Sequence, residues 1–386
     1  MARHQIVLIG RRLSTALIGV KEFHPDVLHL IYTPILADRF DTLLGMIDPG
    51  VKVNKYLVEP YDAGKVYFTC AEIASGLTGE DALRYNLTEG TKIAALSALF
   101  AARDYGGETV YYSQEGEEIV IFTDEKNEPA VRRGPIRSRI SNEEFIRLYG
   151  SNMVSYNDAS QMPRMDVVTA WAIKNFHEVN QKTFQRLQHQ FRSEFAARLD
   201  KMPAEFRVER EKGMSVFVKD GGMKITDRGK TIFEDWNPLT TRLFFTGRWW
   251  EVIVSDVVRS WDLARHANPS DSQVWRNVEF RGVSSNRTKN ELDIMVNDRR
   301  RLVLIECKSG YIGQENIYKI DSTRETYGGT DSKGILVSYY PLDPELVAKC
   351  RDLHVYWFAP EKESQRSGHI RTLPEWLDRI ISDIEE

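Results

Sequence analysis

The chain has 386 residues, 42% of them hydrophobic and 28% charged, which is enough apolar material for more than one folded domain and excludes a disordered chain. A formal net charge of −4 argues against a protein that coats polyanions through its overall charge, while leaving room for a local basic groove. Cys70, Cys307 and Cys350 fit neither a zinc spacing nor a disulfide framework, and no run reaches the roughly 20 apolar residues that span a bilayer, so a soluble cytoplasmic protein with no membrane partner is expected.

In chain order, Gln5–Ile9 is a short apolar run ended by Gly10, as for a strand buried on both faces. His29–Tyr32, Lys52–Val58 and Ala82–Leu87 follow as strands, and Ile93–Arg103 carries apolar residues at helical spacing. Thr109–Tyr112 and Glu118–Phe122 read as a hairpin about Glu115-Gly116. Strands alternating with helices predict an α/β, Rossmann-like sheet. From Asn127 to Arg139 the composition turns polar, with Pro129, Gly134 and Pro135 among four arginines, which reads as a domain edge. Ser141 and Glu144 have the spacing of a capping box, and helical patterns run on to about Leu199. Phe206–Phe233 is strand-like, with a turn at Asp220-Gly221-Gly222. A helix from about Gly247 to Arg265 opens a second α/β unit, with strands at 291–296, 302–307, 334–340 and 354–358. The expected division is residues 1–140, a largely helical middle at 141–236, and 237–386.

In Leu302–Lys308 the period of two places Leu302, Leu304, Glu306 and Lys308 on one face. A carboxylate and an ammonium at the end of a buried strand are costly to desolvate unless they pair with each other or with a metal. The preceding strand places Glu291, Asp293 and Met295 together. A tight turn at Asn297-Asp298 would leave Asp293 and Glu306 out of step along the ladder. A wide loop from 297 to 302 would set them opposite each other, and the sequence leaves that register open. Converging carboxylates make an oxygen site for Mg²⁺ or Mn²⁺, able to activate water or polarise a phosphoryl oxygen. Lys308 would then stabilise developing charge or orient the water. The plainer alternative is a strand-end ion pair of Glu306 with Lys308.

These residues resemble the PD-(D/E)xK superfamily of restriction-endonuclease-like enzymes over about residues 246–340, although Leu292 stands where the signature has proline. The resemblance implies a metal-dependent nuclease. Its catalytic set would be Glu251 from the opening helix, Asp293, Glu306, Lys308 and Gln314, with Asp293, Glu306, Glu251 and the Cys307 backbone carbonyl on the metal. Arg299, Arg300 and Arg301, in the adjoining hairpin, are candidates for phosphate contact, as are Arg132, Arg133, Arg137 and Arg139. Trp249, Trp250, Trp261 and Trp275 are expected in the core.

At the other end, Asn86–Lys92 lies between a strand and a helix. Gly90 permits a tight turn, Thr91 can cap the helix, and Lys92 offers a point charge at a terminus that attracts anions. Gly10–Thr15 and Tyr32-Thr33 are the other strand ends, where a doubly wound sheet collects ligands. A capped helix with a surface lysine is the plainer reading. The segment is similar to the Asn-x-Thr-Gly-Gly-Thr-Lys motif of CRISPR-associated Rossmann-like (CARF) domains, with Glu89 in place of the first glycine. That resemblance implies a site for cyclic oligoadenylate across a homodimer interface, built from Arg11, Arg12, Ser14, Thr15, Thr33, Asn86, Thr88, Gly90, Thr91 and Lys92.

Taken together, the two ends resemble the ancillary nucleases of type III CRISPR systems in the prokaryotic cytoplasm, in which cyclic tetra-adenylate switches on cleavage of RNA or DNA. Two other classes of function fit the same residues: a nucleotide-sensing regulator that binds nucleic acid without cutting it, and a repair or restriction nuclease that needs no ligand.

Overall fold

The computed structural model describes residues 1–386 apart from 114–117, 126–127, 196–204, 211–212, 283–287, 299–300, 330–331, 360–368 and 383–386. The N-terminal part runs β1 (Arg3–Leu8), α1 (Leu13–Phe23), β2 (Val27–Tyr32), α2 (Ala37–Leu44), β3 (Lys52–Leu57), α3 (Ala63–Ser75), β4 (Ala82–Asn86), α4 (Lys92–Tyr105), β5 (Glu108–Ser113), β6 (Glu118–Glu125) and β7 (Glu128–Pro135). These strands form one sheet in the order β3-β2-β1-β4-β5-β6-β7. The first five are parallel, and β6 and β7 return antiparallel. The alternating αβ pattern forces this, because parallel neighbours need a crossover and helices are the compact way to make one. Strand order reverses between β1 and β4, which opens a crevice beyond their carboxyl ends. The hairpin β5–β6 pairs as expected, its turn lying outside the described residues. Within the polar stretch read as a domain edge lies β7. It sits at the sheet margin, where prolines are tolerated because one side of the strand needs no ladder bonds.

The middle segment carries the expected helices α5 (Asn142–Leu148), α6 (Arg164–Val179) and α7 (Gln181–Phe195), and, among the described residues, five strands besides. The capping box of Ser141 and Glu144 is formed at α5, an arrangement worth about 1 kcal/mol. Gly150, at φ +72°, then turns the chain back. The residues that follow, read as helical from their pattern, form β8 (Ser151–Asp158). Pairing with a distant strand overrides local preference there. Next, β9 (Glu205–Arg210), β10 (Met214–Lys219), β11 (Gly222–Asp227) and β12 (Lys230–Asp235) make an antiparallel sheet of their own.

The C-terminal part comprises α8 (Thr240–Thr246), α9 (Arg248–Ala264), β13 (Val274–Gly282), β14 (Thr288–Asn297), β15 (Leu302–Lys308), α10 (Gln314–Thr323), β16 (Lys333–Ser338), α11 (Pro344–Asp352), β17 (Val355–Phe358) and α12 (Leu373–Ile381). Its sheet runs β17-β16-β15-β14-β13-β8, so the last strand is contributed by the middle segment. One face is covered by α9, α6 and α12, with Trp249, Trp250 and Trp261 buried as expected. The other face meets α5 and α10, and buries Trp275 and Leu304. That second core is continuous with the N-terminal sheet through α5, since Phe145 and Ile146 join the same cluster as Val7 and Phe40. Among the described residues no helix is long and apolar enough to cross a membrane.

Candidate functional site

Gly247 separates α8 from α9 in the left-handed region at φ +80°. A β-carbon there would meet the Ser309 hydroxyl, and the left-handed backbone itself favours glycine at this junction between α8 and α9, close to the end of β15. The approach sets Glu251, in the first turn of α9, beside the strand pair that carries the other acids. Arg248 lies 4.0 Å from it. The ladder between β14 and β15 runs from Asn297 opposite Leu302 to Ile294 opposite Ile305, and ends there. Of the two registers left open by the sequence, this is the one that places Asp293 opposite Glu306. Beyond the last rung, the Cys307 N–H donates to Asp293 Oδ2 at 2.7 Å, a side chain replacing the missing strand partner.

Glu306 is 1% exposed. Its Oε1 accepts from Lys308 Nζ at 2.6 Å and from Lys319 Nζ of α10 at 2.8 Å. Its Oε2 is buried with no hydrogen-bond partner among the described residues. Burial raises the Asp293 carboxyl well above the ordinary range, with the charges of Glu251 and Glu306 adding to the effect and the Cys307 N–H opposing it. Glu251 is raised chiefly by burial, against the pull of Arg248 and Lys308. At Lys308 burial works against the charged form, but Glu306 outweighs it and the ammonium is strengthened. Among the described residues, no three histidine, cysteine or acidic side chains close around a single point. Lysines hold one oxygen of Glu306, and a backbone N–H holds one of Asp293. A buried carboxylate oxygen without a donor, next to two acids that repel each other, is nonetheless a donor set that suits a hard cation.

Gln314, expected in the catalytic set as a residue that touches substrate or lysine, is exposed at the first position of α10, and the α10 side chain that reaches Glu306 is Lys319. Helical rotation explains the exchange, since Gln314 and Lys319 lie on different sides of the helix. Arg301, expected to meet phosphates, is buried against Asp298 and the Ile381 carbonyl, while Arg299 and Arg300 lie outside the described residues. Arg133 and Arg139 are ion-paired with Glu118 and Asp271. Sequence reasoning also missed Arg276 and Asn277 of β13, which line one cavity with Glu251 and Asp293. Their signal was present in Trp275–Phe280, where two polar residues interrupt an alternating run.

The N-terminal strand ends enclose a cavity of about 560 Å³ lined by Gly10, Arg11, Arg12, Thr33, Gly90 and Thr91 among others. Thr91 caps α4, accepting from the Ala94 N–H and donating to the Pro60 carbonyl, and Gly90 turns at φ +86°. Glu89 also lines the cavity and pairs with Arg12 at 2.6 Å. Five expected ligand residues do not line it: Ser14, Thr15, Asn86, Thr88 and Lys92. Ser14 and Thr15 are buried in α1, where Thr15 donates to the Arg12 carbonyl. Asn86 accepts from the N–H and hydroxyl of Thr88, whose own oxygen accepts from the Tyr112 N–H. These polar side chains are spent on building the turn. Lys92 is exposed and outside the cavity wall.

Residues 239–376 match the family model described as Card1-like, endonuclease domain. None of the curated proteins matches the chain significantly. Among solved structures, Can2 from Sulfobacillus thermosulfidooxidans in complex with cyclic tetra-adenylate is similar at 20% identity and a TM-score of 0.68, over 98% of this chain and 96% of that one. Protein VC1899 from Vibrio cholerae is similar at 17% identity and a TM-score of 0.72, over 98% of each. A type III CRISPR defence DNA nuclease activated by cyclic oligoadenylate aligns with 95% of this chain but only 52% of its own, at 15% identity and a TM-score of 0.53. At these identities the likeness to solved structures is one of fold. The family match is confined to residues 239–376, and that segment is similar to a Card1-like endonuclease domain.

Proposed function

We propose that the chain is a metal-dependent endonuclease of type III CRISPR defence, switched on by cyclic oligoadenylate, with cyclic tetra-adenylate as its activator. The observation that carries the nuclease half is the meeting of Asp293 and Glu306 at the end of the β14–β15 ladder, with Glu251 and Lys308 beside them. Asp293, Glu306 and the Cys307 carbonyl, aided by Glu251, would hold Mg²⁺ or Mn²⁺. When bound, such an ion supplies Lewis-acid polarisation of a phosphoryl oxygen and a more acidic water. Lys308, kept cationic by Glu306, stabilises the charge that builds on the phosphorane-like transition state. Lys319 shares Glu306 with Lys308, so an incoming cation competes with two ammonium groups for one carboxylate.

The strand-end cavity supports the activator half. Arg11, Arg12 and the capped start of α4 offer charge and N–H groups to phosphates. The likeness to a structure holding cyclic tetra-adenylate supports the choice of ligand. A symmetric ring suits a site built from two copies of the same surface. Phe68 of α3 and Leu96 and Phe100 of α4 expose apolar area suited to such a homodimer. The N-terminal, middle and nuclease segments at 1–140, 141–236 and 237–386 would act as sensor, coupling element and effector.

The test is a cleavage assay on RNA, single-stranded DNA and duplex DNA with Mg²⁺ or Mn²⁺, with and without cyclic tetra-adenylate. Cutting of at least one substrate is expected only when metal and activator are both present. Equal cutting without the activator would overturn the switch, and none with either metal would overturn the nuclease.

A further inference from the structure

Strand β13 does something unusual beside the acids. Val274 belongs to the core under α9 and Trp275 to the opposite core, as alternation requires, yet Val278 and Phe280 both join Trp275. The slip occurs at Asn277, whose φ of +48° is left-handed in a residue that is not glycine. Pairing with β8 loses step over the same stretch, between Arg276 and Glu279. On a regular strand, successive side chains point to opposite faces. Here Arg276 and Asn277 both line the cavity shared with Glu251 and Asp293. In register with β14, Asn277 falls between the pairs Arg276–Ile294 and Val278–Leu292, directly opposite Asp293. Strained bulges of this kind persist where a side chain must be re-aimed.

What is re-aimed is a cation with an open valence. Arg276 Nη1 is buried and has no hydrogen-bond partner among the described residues. Among the described residues neither nearby acid bonds it: Asp166 Oδ1 accepts from Asn237 at 2.8 Å, and Glu251 lies 4.0 Å from Arg248. A counter-ion kept only to neutralise the acids would be expected to hydrogen-bond one of them. Leaving a buried donor unmade costs free energy that an incoming anion would recover. A phosphodiester approaching Asp293 and Glu251 also meets negative charge, and needs a fixed cation at that point to enter.

We propose that Arg276, aimed by the left-handed turn at Asn277, binds a non-bridging phosphate oxygen of the nucleic-acid strand next to the scissile bond. This rests on the nuclease reading. It adds a phosphate-binding residue from β13 to the acids of α9, β14 and β15.

The test uses the full chain with cyclic tetra-adenylate, and Glu306→Gln as a background that does not cut. Fluorescence anisotropy is read for short labelled single-stranded RNA and DNA across a salt series. Adding Arg276→Met should weaken binding about tenfold and lower the slope of log affinity against log salt by about 0.7, the loss of one phosphate contact on a single strand. Arg276→Lys, in an otherwise unaltered chain, should keep the salt slope but cut about 10- to 100-fold more slowly, because an ammonium cannot reproduce the forked contact. Unchanged affinity and slope in the Arg276→Met protein would overturn the proposal. Should that variant melt early, wild-type cutting by Arg276→Lys would overturn it equally. Failure of the nuclease reading would look different: the unaltered chain would cut nothing with either metal, whatever Arg276 does to binding.

Discussion

At the N-terminal cavity, Arg11 and Arg12 line a space formed by backbone turns, and Glu89 is tied to Arg12 by an ion pair. At the proposed nuclease site the signs are reversed. Glu251, Asp293 and Glu306 crowd a partly closed notch, and Lys308 and Lys319 hold the most buried of them. On the proposed function, the first site would receive an anion and the second a cation. In each, an internal ion pair engages one of the charged groups, Glu306 with Lys308 and Lys319 and Arg12 with Glu89. The difference lies in cost. Glu306 is almost fully buried, whereas the Arg12 side chain keeps about a third of its exposure, so breaking the second pair is the easier change.

Mutation can break the comparison, and the largest effect is expected at the acids. Glu306→Ala and Asp293→Ala should each lower cleavage by about a thousandfold or more, as loss of electrostatic and metal-ion catalysis does. Binding of cyclic tetra-adenylate, measured by calorimetry, should be untouched. Undiminished cutting by either variant would remove the acids from the centre. Arg12→Ala should raise the activator concentration for half-maximal cutting by about tenfold, against a change within about twofold for Lys92→Ala, because only Arg12 lines the cavity. A larger effect at Lys92 would mean that activator binding draws the exposed lysine inward. Glu89→Gln should act in the opposite direction, lowering that concentration about threefold by removing a charge that competes with phosphate for Arg12. A weaker response to activator would instead assign the carboxylate to positioning Arg12.

The smallest effect is on stability and touches both halves alike. His29 in β2 is pushed down to about 4 by burial, then by His4 and Lys52, and His177 in α6 to about 4 by burial and Lys174. Both are therefore neutral in the folded chain at pH values where the unfolded chain, near 6.5, takes up protons. Proton uptake by the unfolded state alone means that stability should fall as pH drops from about 6.5 toward 4. Urea melts across that range should show the decline, and His177→Gln should flatten part of it. An unchanged slope in that variant would assign the effect to other groups.

How much of this was legible in the sequence follows the kind of signal involved. The parallel strands of the N-terminal sheet were readable because burial on both faces makes them apolar runs, as in Arg3–Leu8 and Val27–Tyr32. The strand carrying Glu306 was readable because charge at the end of such a run is rare. By contrast, β8 has little apolar content to distinguish it, and its strand form is imposed by pairing with β13. Arg276 was hidden because a bulge breaks the alternation that marks a strand, and Lys319 because one lysine in a helix looks like any other. Asn86 and Thr88 were misplaced for a related reason. A polar side chain that closes its own turn and one that greets a ligand have the same letters.

The strand β8 also bears on modularity. It precedes residue 237 in the chain yet completes the sheet that holds Asp293 and Glu306, lying against the strand that bears Arg276. A polypeptide beginning at residue 237 would present β13 as an open edge, with unpaired N–H and C=O groups ready to pair with another copy. Its bulge at Asn277 would also lose the neighbour it is fitted to. The proposed nuclease segment is therefore not a bead that evolution or an experimenter can clip from this string at that point. Any exchange of sensors between relatives would have to carry β8 along with the nuclease it closes.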